Sequence, residues 1–544
     1  MAFKSNSARR SVIAAAAAIS IGALAFASAA QSQVTFHRGN DSDPETLDAH
    51  KTQTVGEAHL LRDLLEGLVI HNAKGEVAPG VAESWEHRDD GKVVRFKLRA
   101  NAKWSNGDAV TAADFVYSLR RIMDPATGAK YATILYPIKN AAKVNKAEGG
   151  LKPEDLGVKA IDDRTLEIAL EQATPFFIEL LTHQTGLPVH AASVQKHGKD
   201  FVKPENWVGN GAYRLTENVP NSQIKLVKNA QFHDAANVKI DQVIYYPRPD
   251  LAAAARQFMA GELHFTTDIP ADQVKFLKEK VGDQLKIAPY LGIFYLAIDT
   301  RKAPFNDVRV RQALSLAIDR EFIAEQIWGN TMIPAYSFVP PGIAAYERAD
   351  GSRAPADVDF KALSPIDREA RAKKLLAEAG FGPGNPLKVE LRYNMTDNNK
   401  NTVVALADQW KGIGVETSQI SSDGKTHFAF LREGGAFNAA RAGWIADYAD
   451  PQNFLFLLES NQPGLNYAKY SNPEFDGLMA KAAAEQDAKK RAAVLYQANA
   501  VISRDQPYIP MLYYSTKNLV SSKLEGFHTN PRGAFATRFY SLKP

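Results

Sequence analysis

The residues with the clearest capacity for chemistry gather near position 440. Arg432 precedes the run Arg441-Ala442-Gly443-Trp444-Ile445-Ala446-Asp447-Tyr448, in which opposite charges flank a glycine and an aromatic. In an extended segment Gly443 leaves backbone open to hydrogen bonding and Trp444 supplies a wall, while Arg441 and Asp447 present a guanidinium and a carboxylate. A zwitterionic peptide suits that arrangement, with a carboxylate for its ammonium, a guanidinium for its carboxylate and free backbone between them. The same residues also describe a surface strand with an internal salt bridge and a core tryptophan. Their spacing alone does not separate the two.

Other motifs carry less. Gly209-Asn210-Gly211 lacks the third glycine of a dinucleotide loop and runs into Ala212-Tyr213-Arg214-Leu215, which reads as a strand where a helix would be needed. Ser193-Val194-Gln195-Lys196 and Ser422-Asp423-Gly424-Lys425 have the serine-lysine spacing of penicillin-recognising enzymes, but neither serine sits in a glycine-flanked elbow. The 12 histidines include no H-E-x-x-H and no i, i+4 helical pair, so neither a metal nor any other cofactor is expected. Cysteine is absent, which excludes a disulfide framework, a thiolate nucleophile and a lipidated anchor.

These residues must be positioned by a large fold. The chain has 544 residues, 45% hydrophobic and 23% charged, enough to bury a substantial core and to fill about three domains or lobes. Residues 1–10 hold Lys4, Arg9 and Arg10 and no acid, 11–26 are almost wholly apolar, and Ala27-Ser28-Ala29-Ala30 offers small residues for cleavage. That is the form of a signal peptide, its apolar run being short of the ~20 residues that a membrane span needs. Without those three cations the 65 basic residues come close to balancing the 61 acidic ones, and no basic run interleaved with aromatics follows. A nucleic-acid partner is therefore not expected.

Periodicity predicts strands and helices mixed throughout. Residues 93–99, 164–170, 224–227, 243–246, 387–393 and 438–444 read as strands. Thr111 and Asp114 form a capping box before a helix ending at Asp124-Pro125. Further helices are predicted over 307–327 with Asn306 as cap, 367–379 ending at Gly380, and 473–503 behind Ser471-Asn472. The reading is an α/β chain of several lobes.

At this point the sequence resembles the periplasmic oligopeptide-binding proteins of ATP-driven importers, the family-5 extracellular solute-binding proteins. The resemblance runs through nearly the whole chain after the first thirty residues. Its most specific blocks are 78–85 (APGVAESW), 102–108 (AKWSNGD), 110–117 (VTAADFVY), 304–311 (PFNDVRVR) and 441–448 (RAGWIADY). It implies a two-lobed α/β periplasmic binding protein of type II that closes about a hinge, with a further domain inserted in the first lobe. On that pattern 31–65, 190–291 and 514–544 form the first lobe, 66–189 the inserted domain and 292–513 the second lobe. It further implies a receptor, not an enzyme, that binds peptides of about 2–5 residues as an added strand. The receptor would act as a monomer in a Gram-negative periplasm and deliver its ligand to an inner-membrane permease.

By the same resemblance Asp447 pairs with the ligand's ammonium, Arg441 and Arg432 serve its carboxylate, and Gly443, Trp444 and Ile445 line one backbone edge. Gln53, Thr54 and Val55 supply the opposite edge, and Tyr131, Tyr290, Tyr295 and Trp444 match aromatic pocket positions. Three positions depart from the family's best-known members: Asn399 stands where they carry a histidine, Trp328 where they carry a lysine, and Gln53 in place of a glutamate. The loss of two cations predicts a preference for short peptides whose carboxylate reaches Arg441 and Arg432. Alternatives within the fold are a murein peptide, a dipeptide, a haem or glutathione-like solute, or an opine. From other classes the rivals are a secreted hydrolase using Ser193 or Ser422, and a chaperone that grips unfolded chains.

Overall fold

The computed structural model describes residues 33–40, 43–52, 54–343, 346, 357–462 and 464–543, without the side chain of Lys425. The expected signal segment and Gln53 lie outside the described residues.

Alternating sequence becomes sheet. One four-stranded sheet has the order Thr35–Asn40, Gln242–Pro247, Gln223–Lys228, Tyr213–Val219, only its first pair being parallel. A second, antiparallel throughout, has the order Ala82–Arg88, Val93–Leu98, Thr165–Ala169, Val158–Asp162. These two sheets share one hydrophobic core. The third sheet is six-stranded and mixed, in the order Ile333–Pro334, Tyr508–Leu519, Leu285–Ile298, Ala439–Ile445, Leu387–Asn394, Val415–Ser422. Period two divides its central strand between two cores: Phe294, Leu296 and Ile298 enter one, and Ile293, Tyr295 and Ala297 enter the other.

The strands Leu285–Ile298 and Tyr508–Leu519 tie this sheet to the rest. Their pairing lapses between Pro289 and Ile293, and Phe265 bridges both to Arg38 in the first sheet and to Val520. Side chains join the two bodies directly as well. Phe176 stacks on Tyr448 with centroids 4.9 Å apart, and the Ala449 N–H donates to Glu179 at 3.3 Å.

Helices follow their caps, including two that the sequence reading missed. The Thr111 N–H donates to Asp114 at 2.8 Å at the head of Ala112–Met123. The helix expected over 307–327 is broken. Asp307, not Asn306, caps Val308–Leu316, and Asp319 caps a new start at Arg320. The buried Arg320 guanidinium donates to the carbonyls of Ser315 and Ile318, meeting the groups that a continuous helix would have paired internally. Likewise the helix expected over 473–503 is two, Pro473–Ala484 and Ala488–Asp505, because Asp487 caps the second by accepting from the Lys490 N–H. A capping aspartate in an otherwise helical pattern ends one helix and starts the next.

Candidate functional site

The site begins with a strand that is paired on one side only for much of its length. Ala439–Ile445 runs antiparallel to the central strand over its whole length, from Ile298 against Ala439 to Gly292 against Ile445. On its other side Leu387–Asn394 pairs only at Ala439 and Ala440 before the chain turns into the helix Asp397–Gly412. The Ala446 N–H donates to Leu291 O at 2.8 Å. Alternation along the ladder therefore aims the N–H and C=O groups of Gly443 and Ile445 from the open edge. His427 holds the Arg441 carbonyl, which shares that direction, at 2.8 Å.

Arg441 and Asp447 mark the two ends of this edge and do not pair with each other. The Arg441 guanidinium lies 4.5 Å over the Phe294 ring and donates to Asn394 Oδ1 at 3.0 Å and to the Tyr514 hydroxyl at 2.8 Å. Both acceptors are neutral, so its charge stays available to an anion. Gly443 is required by this arrangement, since a Cβ there would stand 2.5 Å from the Tyr514 hydroxyl. At the other end Asn453 Oδ1 accepts from both the Trp444 indole and the Asp447 N–H at 3.0 Å, fixing wall and carboxylate together. The Asp447 carboxylate accepts a hydrogen bond from Tyr131, with His183 Nε2 4.0 Å away. Burial pushes the Asp447 carboxyl up to about 6, while Tyr131, Arg532 and Asn453 oppose a further rise.

A cavity of about 500 Å³ opens along the edge, a size suited to a short peptide. The structure brings Thr54, Val55, Tyr131, Tyr290, Arg432, Arg441, Gly443, Trp444, Ile445 and Asp447 to its wall. Other expected residues lie elsewhere or serve differently. Tyr295 is 1% exposed and packs on Phe338 and Tyr508, because the alternation that turns Phe294 toward Arg441 turns Tyr295 into the opposite core. Asn399 is buried in a helix's first turn, its amide donating to Asn394 O at 2.9 Å, so it steadies the residue that holds Arg441 instead of facing the cavity. Trp328 donates to Thr402 at 3.1 Å and lines a neighbouring compartment of about 300 Å³ that shares Val55, Tyr290, Ile445 and Tyr514 with the first. Thr54 cannot offer a free backbone edge. Its N–H donates to Glu57 and its carbonyl accepts from Ala58, closing the cap of Val55–Leu64.

Among the further residues of the cavity wall that escaped the sequence reading are Arg62, His71, His183 and Arg532. Arg62 reads as an ordinary charge on an amphipathic helix, and Arg532 as part of an Asn-Pro-Arg-Gly turn. Burial, reinforced by the two arginines, takes His71 down to about 4 and His183 to about 3, leaving both neutral at pH 7. Ser193 does meet a histidine, His190, at 2.9 Å, but the same His190 Nδ1 accepts the Ser193 N–H, which makes the contact a helix cap. Among the described residues no group of three or more histidines and acids is arranged to hold a metal ion.

Residues 76–466 match the bacterial extracellular solute-binding proteins, family 5 Middle. The chain belongs to this family. It is 39% identical over 534 residues to the periplasmic oligopeptide-binding protein OppA of Salmonella typhimurium, covering 96% of each chain. The structure of the Escherichia coli murein tripeptide binding protein MppA matches with a TM-score of 0.81 and 35% identity, over 94% of this chain and 99% of that one. That of Haemophilus influenzae OppA in complex with RPPGFSPFR matches with a TM-score of 0.80 and 33% identity, over 94% and 99%. The family-5 fold is two-lobed and mixed α/β. The six-stranded sheet and the two joined four-stranded sheets thus lie on either side of the cavity.

Proposed function

We propose that this protein is a periplasmic receptor that captures short peptides and delivers them to an ABC permease of the inner membrane, performing no chemistry on the ligand. The observation that carries this reading is the open edge of Ala439–Ile445 with a guanidinium held by neutral acceptors at one end and a buried carboxylate at the other. Six residues of strand at about 3.3 Å each separate the two Cα atoms by up to about 20 Å. The reach of the two side chains leaves about 10 Å, the span of about three extended residues. Main-chain hydrogen bonds are common to all peptides, so such a site takes many sequences while the terminal charges set length and polarity.

Kinship with OppA and MppA supports the reading, as does the form of residues 1–30 as an export signal. In the described residues no helix is long and apolar enough to cross a membrane. The test is native mass spectrometry of the mature protein purified from a periplasm, with the released ligand sequenced. A ladder of short peptides is the expected result. A single non-peptide mass would overturn the reading in favour of a specialised solute.

A further inference from the structure

The amino end of the cavity holds more positive charge than an ammonium group calls for. Arg62 lines the cavity, yet its guanidinium makes no hydrogen bond or ion pair with any described residue, and its Nη1 is buried. Arg532 spends one N–H on the Asp447 carbonyl, while its Nε and Nη1 are buried without partners. Other buried arginines also keep single atoms without a partner, Arg491 Nε and Arg538 Nε among them, but their guanidiniums are met by a carboxylate or by several acceptors. Arg121 is met by Asp48, Arg491 by Asp450, and Arg320 by three carbonyls and a hydroxyl.

Arg62 is faced by Tyr290, Tyr245 and two further cations, Arg532 and Arg38, and Arg532 by Glu179, Asp447 and Tyr290, with His71 and His183 neutral. The two carboxylates thus face Arg532, and once a ligand ammonium takes up Asp447 positive charge is left uncompensated in a desolvated site. A buried charge of that kind calls for an opposite partner, and a planar guanidinium matches a carboxylate with two parallel hydrogen bonds.

We propose that Arg62 and Arg532 form an anion subsite, so that favoured peptides carry a carboxylate on one of their first two residues in addition to the one at their C-terminus. The assignment to the first two residues follows from Arg532, which grips the main chain of the same Asp447 whose side chain would take the ammonium. An acidic side chain or the free α-carboxylate of a γ-linked glutamate would serve equally.

This inference rests on the peptide-receptor reading, and calorimetry can separate the two. Ala-Ala-Ala is compared with tripeptides carrying Glu or the isosteric Gln at position 1, 2 or 3, on the unmodified protein and on Arg62→Gln. Glu should exceed Gln by at least tenfold at position 1 or 2 and not at position 3, and Arg62→Gln should abolish the difference. Equal affinities of Glu and Gln at the first two positions, with Ala-Ala-Ala still bound, would overturn the subsite and leave the receptor reading intact. Failure of every tripeptide to bind would overturn both. The Glu/Gln comparison on the unmodified protein needs no variant to fold.

Discussion

Replacing Asp447 with asparagine should move stability and affinity in opposite directions. In the ligand-free protein burial lifts this carboxyl from 3.8 to about 6. Keeping it charged at neutral pH therefore costs up to about 3 kcal/mol, at 1.36 kcal/mol per pKa unit. A group with a raised folded-state value binds its proton more tightly when folded, so the stability it confers is complete below about pH 4 and lost as pH rises through about 6. The amide of Asp447→Asn would carry no such charge, and the ligand-free variant should be more stable than the parent at pH 7.5, with a flatter profile between pH 4 and 6. Its affinity for Ala-Ala-Ala should fall by about 2–5 kcal/mol, or about 30- to 4000-fold, because the buried ammonium loses its partner. In the parent, proton and ammonium compete for one carboxylate, and affinity should drop about tenfold per unit as pH falls below about 6. Calorimetry and thermal unfolding from pH 4.5 to 8 read all three effects. A variant that binds within threefold of the parent and melts at the same temperature would refute the reasoning.

Other consequences follow from single contacts. Tyr131→Phe removes the hydroxyl that opposes the rise of the Asp447 carboxyl, so the midpoint of the pH-dependent loss of affinity should shift upward from about 6, as titration by calorimetry would show. Gly443→Ala drives a methyl against the Tyr514 hydroxyl and should misplace Arg441, costing at least tenfold in affinity for a tripeptide while an amidated tripeptide loses less. In a length series of one repeated side chain, tetra- and pentapeptides should bind more weakly than the tripeptide. Trp328 offers no charge at the second compartment, and its Lys517 is already paired with Asp268 at 3.3 Å.

Much of this site was legible because its strand residues are contiguous. Arg441, Gly443, Trp444 and Asp447 lie within seven positions, so a single extended segment carries all four. The resemblance to a family added Thr54, Tyr131 and Tyr290, which reach the same cavity from distant parts of the chain. Burial was what the sequence could not reveal. Tyr295 and Phe294 are adjacent aromatics, and only the register against Gly443 and Ala442 decides which faces Arg441. Arg62 on its helix looks like many solvated arginines, and its lack of partners exists only once Arg532 and the strand are folded around it. Helix breaks at Asp319 and Asp487 were hidden for the converse reason. Apolar spacing continues across both, and a single capping carboxylate outweighs it.

The central claim is that both ends of a peptide are recognised by charge, and calorimetry of Ala-Ala-Ala in four forms tests it most directly. The free, N-acetylated, C-amidated and doubly blocked peptides would be titrated into the ligand-free protein at pH 7.5. The free peptide should bind tightest, each block should cost at least tenfold, and binding should be weakest when both are present. Equal affinity for the free and doubly blocked forms would contradict the claim, and would leave the open strand edge, without its terminal charges, as the whole of the recognition.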